Sequence, residues 1–142
     1  MGKTAFALNI AENVAMINHI PTAIFSLEMS KVQLAKRLVA MNSKVDSQRI
    51  RIGELEDDEW AKITESSIIL GESTLYIDDT GSISINDLRS KCRKLKMEKG
   101  LGLIIIDYLQ LMSGNSGSKN ISRQQEISDI SRSLKSLARE LD

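Results

Sequence analysis

Leu103-Ile104-Ile105-Ile106-Asp107 is the stretch that decides the fold of this 142-residue chain. Four consecutive large aliphatics are too few for an ordinary helix and rich in β-branched residues, so they predict a strand. Because the run is apolar on every side, the strand belongs in the middle of a parallel sheet with helices over both faces. An acid follows where the run stops. Ligands of open α/β sheets bind beyond the carboxyl ends of the strands, which makes Asp107 a candidate site residue. The alternative at such a position is a turn or helix-capping aspartate.

On the amino-terminal side of this strand, Ser84 heads a helical pattern whose inner face is Ile85, Leu88, Cys92 and Leu95. Its outer face carries Arg89, Lys91, Arg93, Lys94, Lys96 and Lys99, either a solvated helix face or a phosphate-binding patch. Gly100 and Gly102 end it. Further upstream, Leu75-Tyr76-Ile77 is a short strand closed by Asp78-Asp79, and Ala23-Ile24-Phe25-Ser26-Leu27 is another, ending in Glu28. A helical pattern precedes Pro21, with Leu8, Ala11, Val14, Ala15 and Ile17 inward.

Ser30 and Gln33 have capping-box spacing for a helix carrying Val32, Ala35, Leu38 and Val39. After a polar stretch, Glu56-Asp57-Asp58-Glu59 suits the first turn of a helix with Trp60, Ile63, Ser67 and Leu70. Downstream of the decisive strand, small polar residues from Ser113 to Asn120 form a loop. A last helix opens at Ser122 and Gln125 and buries Ile127, Ile130, Leu134, Leu137 and Leu141. This alternation predicts an α/β fold, a mainly parallel sheet flanked by helices, with an extra helical insertion in the second linker.

Composition narrows the function classes. Nineteen basic residues balance nineteen acidic ones, so a polyanion site would have to come from local clustering. Cys92 is the single cysteine, which excludes an internal disulfide and a cysteine cluster for zinc, and fits a reducing, cytoplasmic setting. No apolar run approaches the roughly 20 residues that span a bilayer, and no signal-peptide pattern opens the sequence, so a soluble protein with no membrane partner is expected.

Gly2-Lys3-Thr4 followed by a helix is the back half of the phosphate loop G-x-x-x-x-G-K-[ST]. Gly2 lets the backbone approach phosphates, whose charge meets the orphan N–H groups of the helix start. Lys3 reaches the β- and γ-phosphates, and the Thr4 hydroxyl ligates magnesium. Asp107, about a hundred residues on, supplies the strand-end aspartate that holds the metal with that hydroxyl. Glu28 suits a general base that polarises the attacking water; it reads equally as a helix-start acid before Ser30.

With these residues the chain resembles, over nearly its whole length, the carboxyl-terminal motor domain of DnaB-type replicative helicases, members of the RecA-like ring ATPases. The most specific pieces are Met1-Gly2-Lys3-Thr4-Ala5-Phe6, Phe25-Ser26-Leu27-Glu28-Met29-Ser30, Ile77-Asp78-Asp79, Ile105-Ile106-Asp107-Tyr108-Leu109-Gln110-Leu111 and Ile127 through Lys135. The resemblance implies a RecA-like P-loop NTPase core spanning residues 1–142, starting within the phosphate loop and truncated at both ends. It implies ATP and Mg2+ as ligands, with Gly2, Lys3 and Thr4 at the nucleotide, Thr4 and Asp107 at the metal, and Glu28 catalytic. Arg37 matches an arginine that contacts the base, or is a plain surface residue. Lys119 and Arg123 match a loop facing a central channel for single-stranded DNA, or belong to a solvent loop.

The same resemblance implies a homohexamer that works with a primase and a helicase loader. Since the sequence starts within one motif and stops inside a helical pattern, a piece of a longer chain is expected. The first glycine of the phosphate loop, the sensor strand, the second channel loop, the arginine finger and the primase-recruiting domain are not among these residues. On its own the chain is expected to bind nucleotide weakly and to hydrolyse it poorly. Two other functions share the pattern: a RecA-like recombinase or regulatory ATPase switch, and a non-catalytic scaffold that keeps the sheet.

Overall fold

The structure, a computed structural model, describes residues 2–113 and 122–142. Its frame is a parallel sheet of three strands, β1 (Thr22–Ser26), β2 (Leu75–Asp78) and β3 (Leu103–Asp107), in the order β2-β1-β3. Parallel neighbours need long crossovers. The first runs through helices α2 (Lys31–Ser43), α3 (Ser47–Ile52) and α4 (Asp57–Glu72), the second through α5 (Ile85–Lys99). Helix α1 (Lys3–Ala11) precedes β1, and α6 (Arg123–Leu141) closes the chain.

Alternation along the strands divides the core in two. Ala23, Phe25, Ile104 and Ile106 face α5 and α6 and pack with Leu88, Cys92, Ile130 and Leu137. Ile24, Ile77 and Ile105 face the other way, onto Leu8, Ala11, Leu34 and Leu38 of α1 and α2. The sheet is therefore covered on both faces, as the apolar run of β3 predicts. Its place in the order is different. The middle strand is β1, buried at all five residues, while β3 is half-buried except at Asp107. An all-apolar run reports helices on both faces of a strand, and says nothing about which of its edges is paired.

Capping explains where the helices begin. Ser30 and Gln33 form the reciprocal box at the start of α2, and Glu56 and Glu59 form one at α4. Ser84 accepts from Asp87 N at α5. At α6 Ser122 accepts from Gln125 N, but the Gln125 side chain donates to Asp129, so only half of the expected box exists. Helix α3, unforeseen in the polar stretch, is capped by Asp46, which accepts from Gln48 N and Arg49 N.

Four positions of the expected helical patterns are exposed, Ser67 among them. The chain from Glu12 to Ile17 is π-helical, and this wider turn rotates the following side chains, leaving Ile17 62% exposed. Val32 and Trp60 are also more than half exposed, while Leu34 and Ser66 take the inward positions on their helices. At Gly102 the approach is close: a Cβ there would lie 2.4 Å from the Ile20 side chain, beside the bond from Gly102 N to Pro21 O.

The basic face of α5 is largely taken up by protein partners. Lys91 pairs with Asp78 at 2.5 Å and Arg93 with Glu140 at 2.5 Å. Lys96 donates to the carbonyls of Leu101 and Asp142. Burial raises the Asp78 carboxyl, but hydrogen bonds from Lys91 and Thr80 outweigh it, and the net direction is below the usual carboxylate range.

Leu88 is fully buried in the α5–α6 core, so Leu88→Ala should lower the unfolding free energy by about 3 kcal/mol, whereas Met97→Ala, at an 87% exposed site, should change it by less than about 0.5. Urea denaturation checks both. Burial pushes the Cys92 thiol up to about 11. The unfolded chain loses that proton near the ordinary thiol value of about 8.5. Stability contributed by Cys92 is thus full below the unfolded value and is lost as pH rises toward the folded one. Cys92→Ala should flatten that part of the stability curve, and a thiol reagent at pH 8 should react only after urea is added.

Candidate nucleotide site

Gly2 has φ +80°, a left-handed conformation that side chains rarely adopt, and it turns the chain into α1. No side chain caps this helix start. The first N–H groups of α1 are therefore open at an end where the helix dipole favours an anion. Lys3 and Thr4 are the first two helical residues, so their side chains leave from this same end.

Asp107 arrives from β3. Register pairs it with Ser26 of β1, and Leu27 N donates to Asp107 O at 2.8 Å, which fixes the carboxyl end of β3 beside that of β1. The carboxylate is buried, at 5% exposure. Thr4 Oγ1 donates to Asp107 Oδ2 at 2.6 Å, closing a contact across 103 residues. Lys3 Nζ lies 3.0 Å from Oδ1 and 3.8 Å from the centroid of the Tyr108 ring. Oδ1 itself is buried and takes no hydrogen bond among the described residues; its partner is the lysine charge alone. Below the pair, Leu8, Ile24, Leu34 and Ile105 leave a gap of only about 10 Å³, so the floor of the site is apolar and packed.

Glu28 stands in the turn that follows β1. Ser26 Oγ donates to Met29 O at 2.7 Å and accepts from Met29 N at 3.2 Å, folding the turn back on the strand end. Glu28 is exposed on it, with no hydrogen bond or ion pair of its own among the described residues. The structure thus brings Gly2, Lys3, Thr4 and Asp107 together, with Glu28 on the loop beside them. Arg37 is exposed on α2, without a hydrogen bond or ion pair among the described residues. Arg123 is the first residue of α6; it donates to Met112 O at 2.9 Å and to Gln110 O, and pairs with Glu126. Lys119 lies outside the described residues.

Two residues that reasoning from residue types passed over belong here. Tyr108, next to the strand-end acid, supplies an aromatic face to Lys3, and Ser26 holds the turn that carries Glu28. Ser26 was legible as the polar member of an otherwise apolar strand. Nothing in the spacing reports on Tyr108.

The donor set suits a hard divalent cation: a hydroxyl and a buried carboxylate with one oxygen lacking a hydrogen bond. No group of three or more His, Cys, Asp or Glu side chains gathers among the described residues, so most ligands of such an ion would come from water and phosphate oxygens. No helix among the described residues is long and apolar enough to cross a membrane.

Residues 1–142 match the family described as DnaB-like helicase C terminal domain. The chain is 54% identical to the replicative DNA helicase DnaB of Geobacillus stearothermophilus over 142 residues, covering all of this chain and 31% of that protein. It is 52% identical to the replicative DNA helicase DnaC of Bacillus subtilis, again over 31% of the relative's length. One solved structure, of an ATPase domain, superposes with a TM-score of 0.91 at 37% identity, covering 100% of this chain and 50% of that one. A DnaB-like replicative helicase studied for its interactions with primase gives a TM-score of 0.91 and 37% identity, with 34% of it covered. The parallel sheet with its half phosphate loop and strand-end aspartate is accordingly a RecA-like ATPase core, and the chain belongs to the DnaB-like helicase C-terminal domain family.

Proposed function

We propose that this chain is part of the motor of a ring-forming replicative DNA helicase, which couples ATP hydrolysis to translocation on single-stranded DNA and to duplex unwinding. The meeting of Lys3 and Thr4 with Asp107 is the observation that carries the proposal. It joins the two halves of a phosphoryl-transfer site from opposite ends of the sequence. The relatives, named replicative DNA helicases, support the same reading.

In this reading the open start of α1 and the Gly2 turn receive the phosphates of ATP, and Lys3 swings to them from Asp107. Thr4 and Asp107 hold Mg2+. Held there, magnesium would supply positive charge to offset that of the phosphates. Glu28 takes a proton from the attacking water, reaching in from the exposed turn after β1. Arg37 contacts the nucleotide base. Lys119 and Arg123 meet the phosphate backbone of single-stranded DNA, Arg123 from the amino-terminal end of α6. The assembled protein is a cytoplasmic homohexamer that engages a primase and a loader through parts absent from these residues or unassigned among them.

ATP hydrolysis by the complete parent chain, with and without single-stranded DNA, tests the proposal. DNA should stimulate turnover, and Glu28→Ala should lower it by about 10² to 10⁴ while nucleotide binding persists. Turnover indifferent to both DNA and Glu28 would overturn it. Thr4→Val, which keeps the shape and removes the hydroxyl, should raise the magnesium needed for half-maximal nucleotide binding about 10- to 100-fold, and Thr4→Ser should restore it. Isothermal titration at several magnesium concentrations reads that shift.

A further inference from the structure

We infer that Asp79 is a positioning residue for Glu28, acting through the amino-terminal end of α2; this rests on the catalytic reading of Glu28 proposed above. Glu28 is exposed and has no bond of its own among the described residues, so the backbone turn from Leu27 to Ser30 sets where its Cα stands and what its carboxylate can reach. That turn is held at three points. Ser26 Oγ bridges to Met29 in both directions, and Leu27 N is tied to Asp107 O. The third point comes from another strand: Asp79 Oδ2 accepts from Lys31 N at 2.9 Å, across 48 residues.

Lys31 is the first residue of α2 and its N–H is one of the helix's orphan donors. Ser30 and Gln33 satisfy each other's backbone N–H, and their box leaves the Lys31 donor over. Asp79 fills that place with a carboxylate, which the helix dipole also favours. Its base is firm. Asp78, the last residue of β2 and in register with Phe25, is held by Lys91 Nζ at 2.5 Å and by Thr80 N at 2.9 Å, so the end of β2 is tied to α5. Asp79 thus connects a fixed strand end to the far side of the Glu28 turn, and the near side is fixed on β3. With both sides held, the turn keeps the Glu28 backbone at one place relative to the ends of β1 and β3. Released on one side, it keeps its fold and loses that place.

The test uses the complete parent helicase. Asp79→Ala should lower kcat for DNA-stimulated ATP hydrolysis about 10- to 100-fold, the size of effect expected when a catalytic group is misplaced by about an ångström. KM for ATP and the equilibrium affinity for nucleotide should stay within about twofold, and Asp79→Asn, whose amide oxygen can still accept from Lys31 N, should recover most of the loss. In a Glu28→Ala background, Asp79→Ala should leave the residual turnover unchanged. If Asp79→Ala does not fold, Asp79→Glu replaces it with the same expectation, since it keeps the charge and moves the oxygen. Unchanged kcat, an Asn variant as impaired as the Ala variant, or a further loss in the Glu28→Ala background would each overturn the inference. Full turnover in Glu28→Ala alone would instead remove the reading it rests on.

Discussion

A carboxylate buried at the end of a strand must be given partners, and Asp107 takes its partners from the first residues of the chain. Thr4 donates to one oxygen and Lys3 sets its charge against the other. Leaving such a group unpaired would cost several kcal/mol. The contact therefore does more than mark a site: it fixes where α1 sits on the sheet. With α1 anchored there, Leu8 and Ala11 fall on Ile24 and Ile105, and the second core cluster closes. The chemistry and the packing share one constraint.

The same constraint reaches β1 through register. Pairing of Ser26 with Asp107 aligns the carboxyl ends of β1 and β3, so the segments leaving the two strands emerge on the same side of the sheet. That is why Leu27, 80 positions before Asp107 in sequence, bonds to it directly, and the turn carrying Glu28 follows at once. The turn bearing Glu28 is short and bonded to the strand ends, which in the proposed function would hold an exposed carboxylate near the phosphates without lodging it among them. Charge repulsion would weaken substrate binding if it were lodged there.

How much could be read from the sequence depends on which signals are local. The three strands were legible because each is a short apolar run ended by an acid, and most helix starts because Ser30, Ser84 and Ser122 are side chains that cap within three residues. The Thr4–Asp107 pair was legible because both halves carry a chemical signature. Non-local facts were not. Strand order depends on which edges pair, so an all-apolar β3 looked central although β1 is. The π-helical segment from Glu12 to Ile17 shifts the frame of a pattern that still looks α-helical, and Ile17 is turned outward. Helix α3 is six residues long and buries none of them, so hydrophobic periodicity had nothing to report. The carbonyls of Gln110 and Met112 to which Arg123 donates from the start of α6 were likewise invisible in the sequence, because they lie 13 and 11 residues away.

The two halves of the Lys3–Asp107 contact are unequal, and that inequality suits a site that must exchange partners. The lysine side chain is 57% exposed, whereas the carboxylate side is 6% exposed. The ammonium, already half in water, is rehydrated when it leaves the carboxylate, so Lys3 is free to turn toward an arriving phosphate and the cost of separation falls on Asp107. Asp107 has no such freedom. Once Lys3 turns away, Oδ1 is a buried anionic oxygen with neither a hydrogen bond nor a charge beside it among the described residues, and Thr4 serves only Oδ2. Asp107 then requires a replacement cation, and a polyanionic substrate that arrives with its own divalent counter-ion meets the requirement where a bare phosphate does not. In the proposed function the lysine and the aspartate thus set opposite demands that one ligand chemistry would satisfy together, a nucleotide complexed to a hard metal.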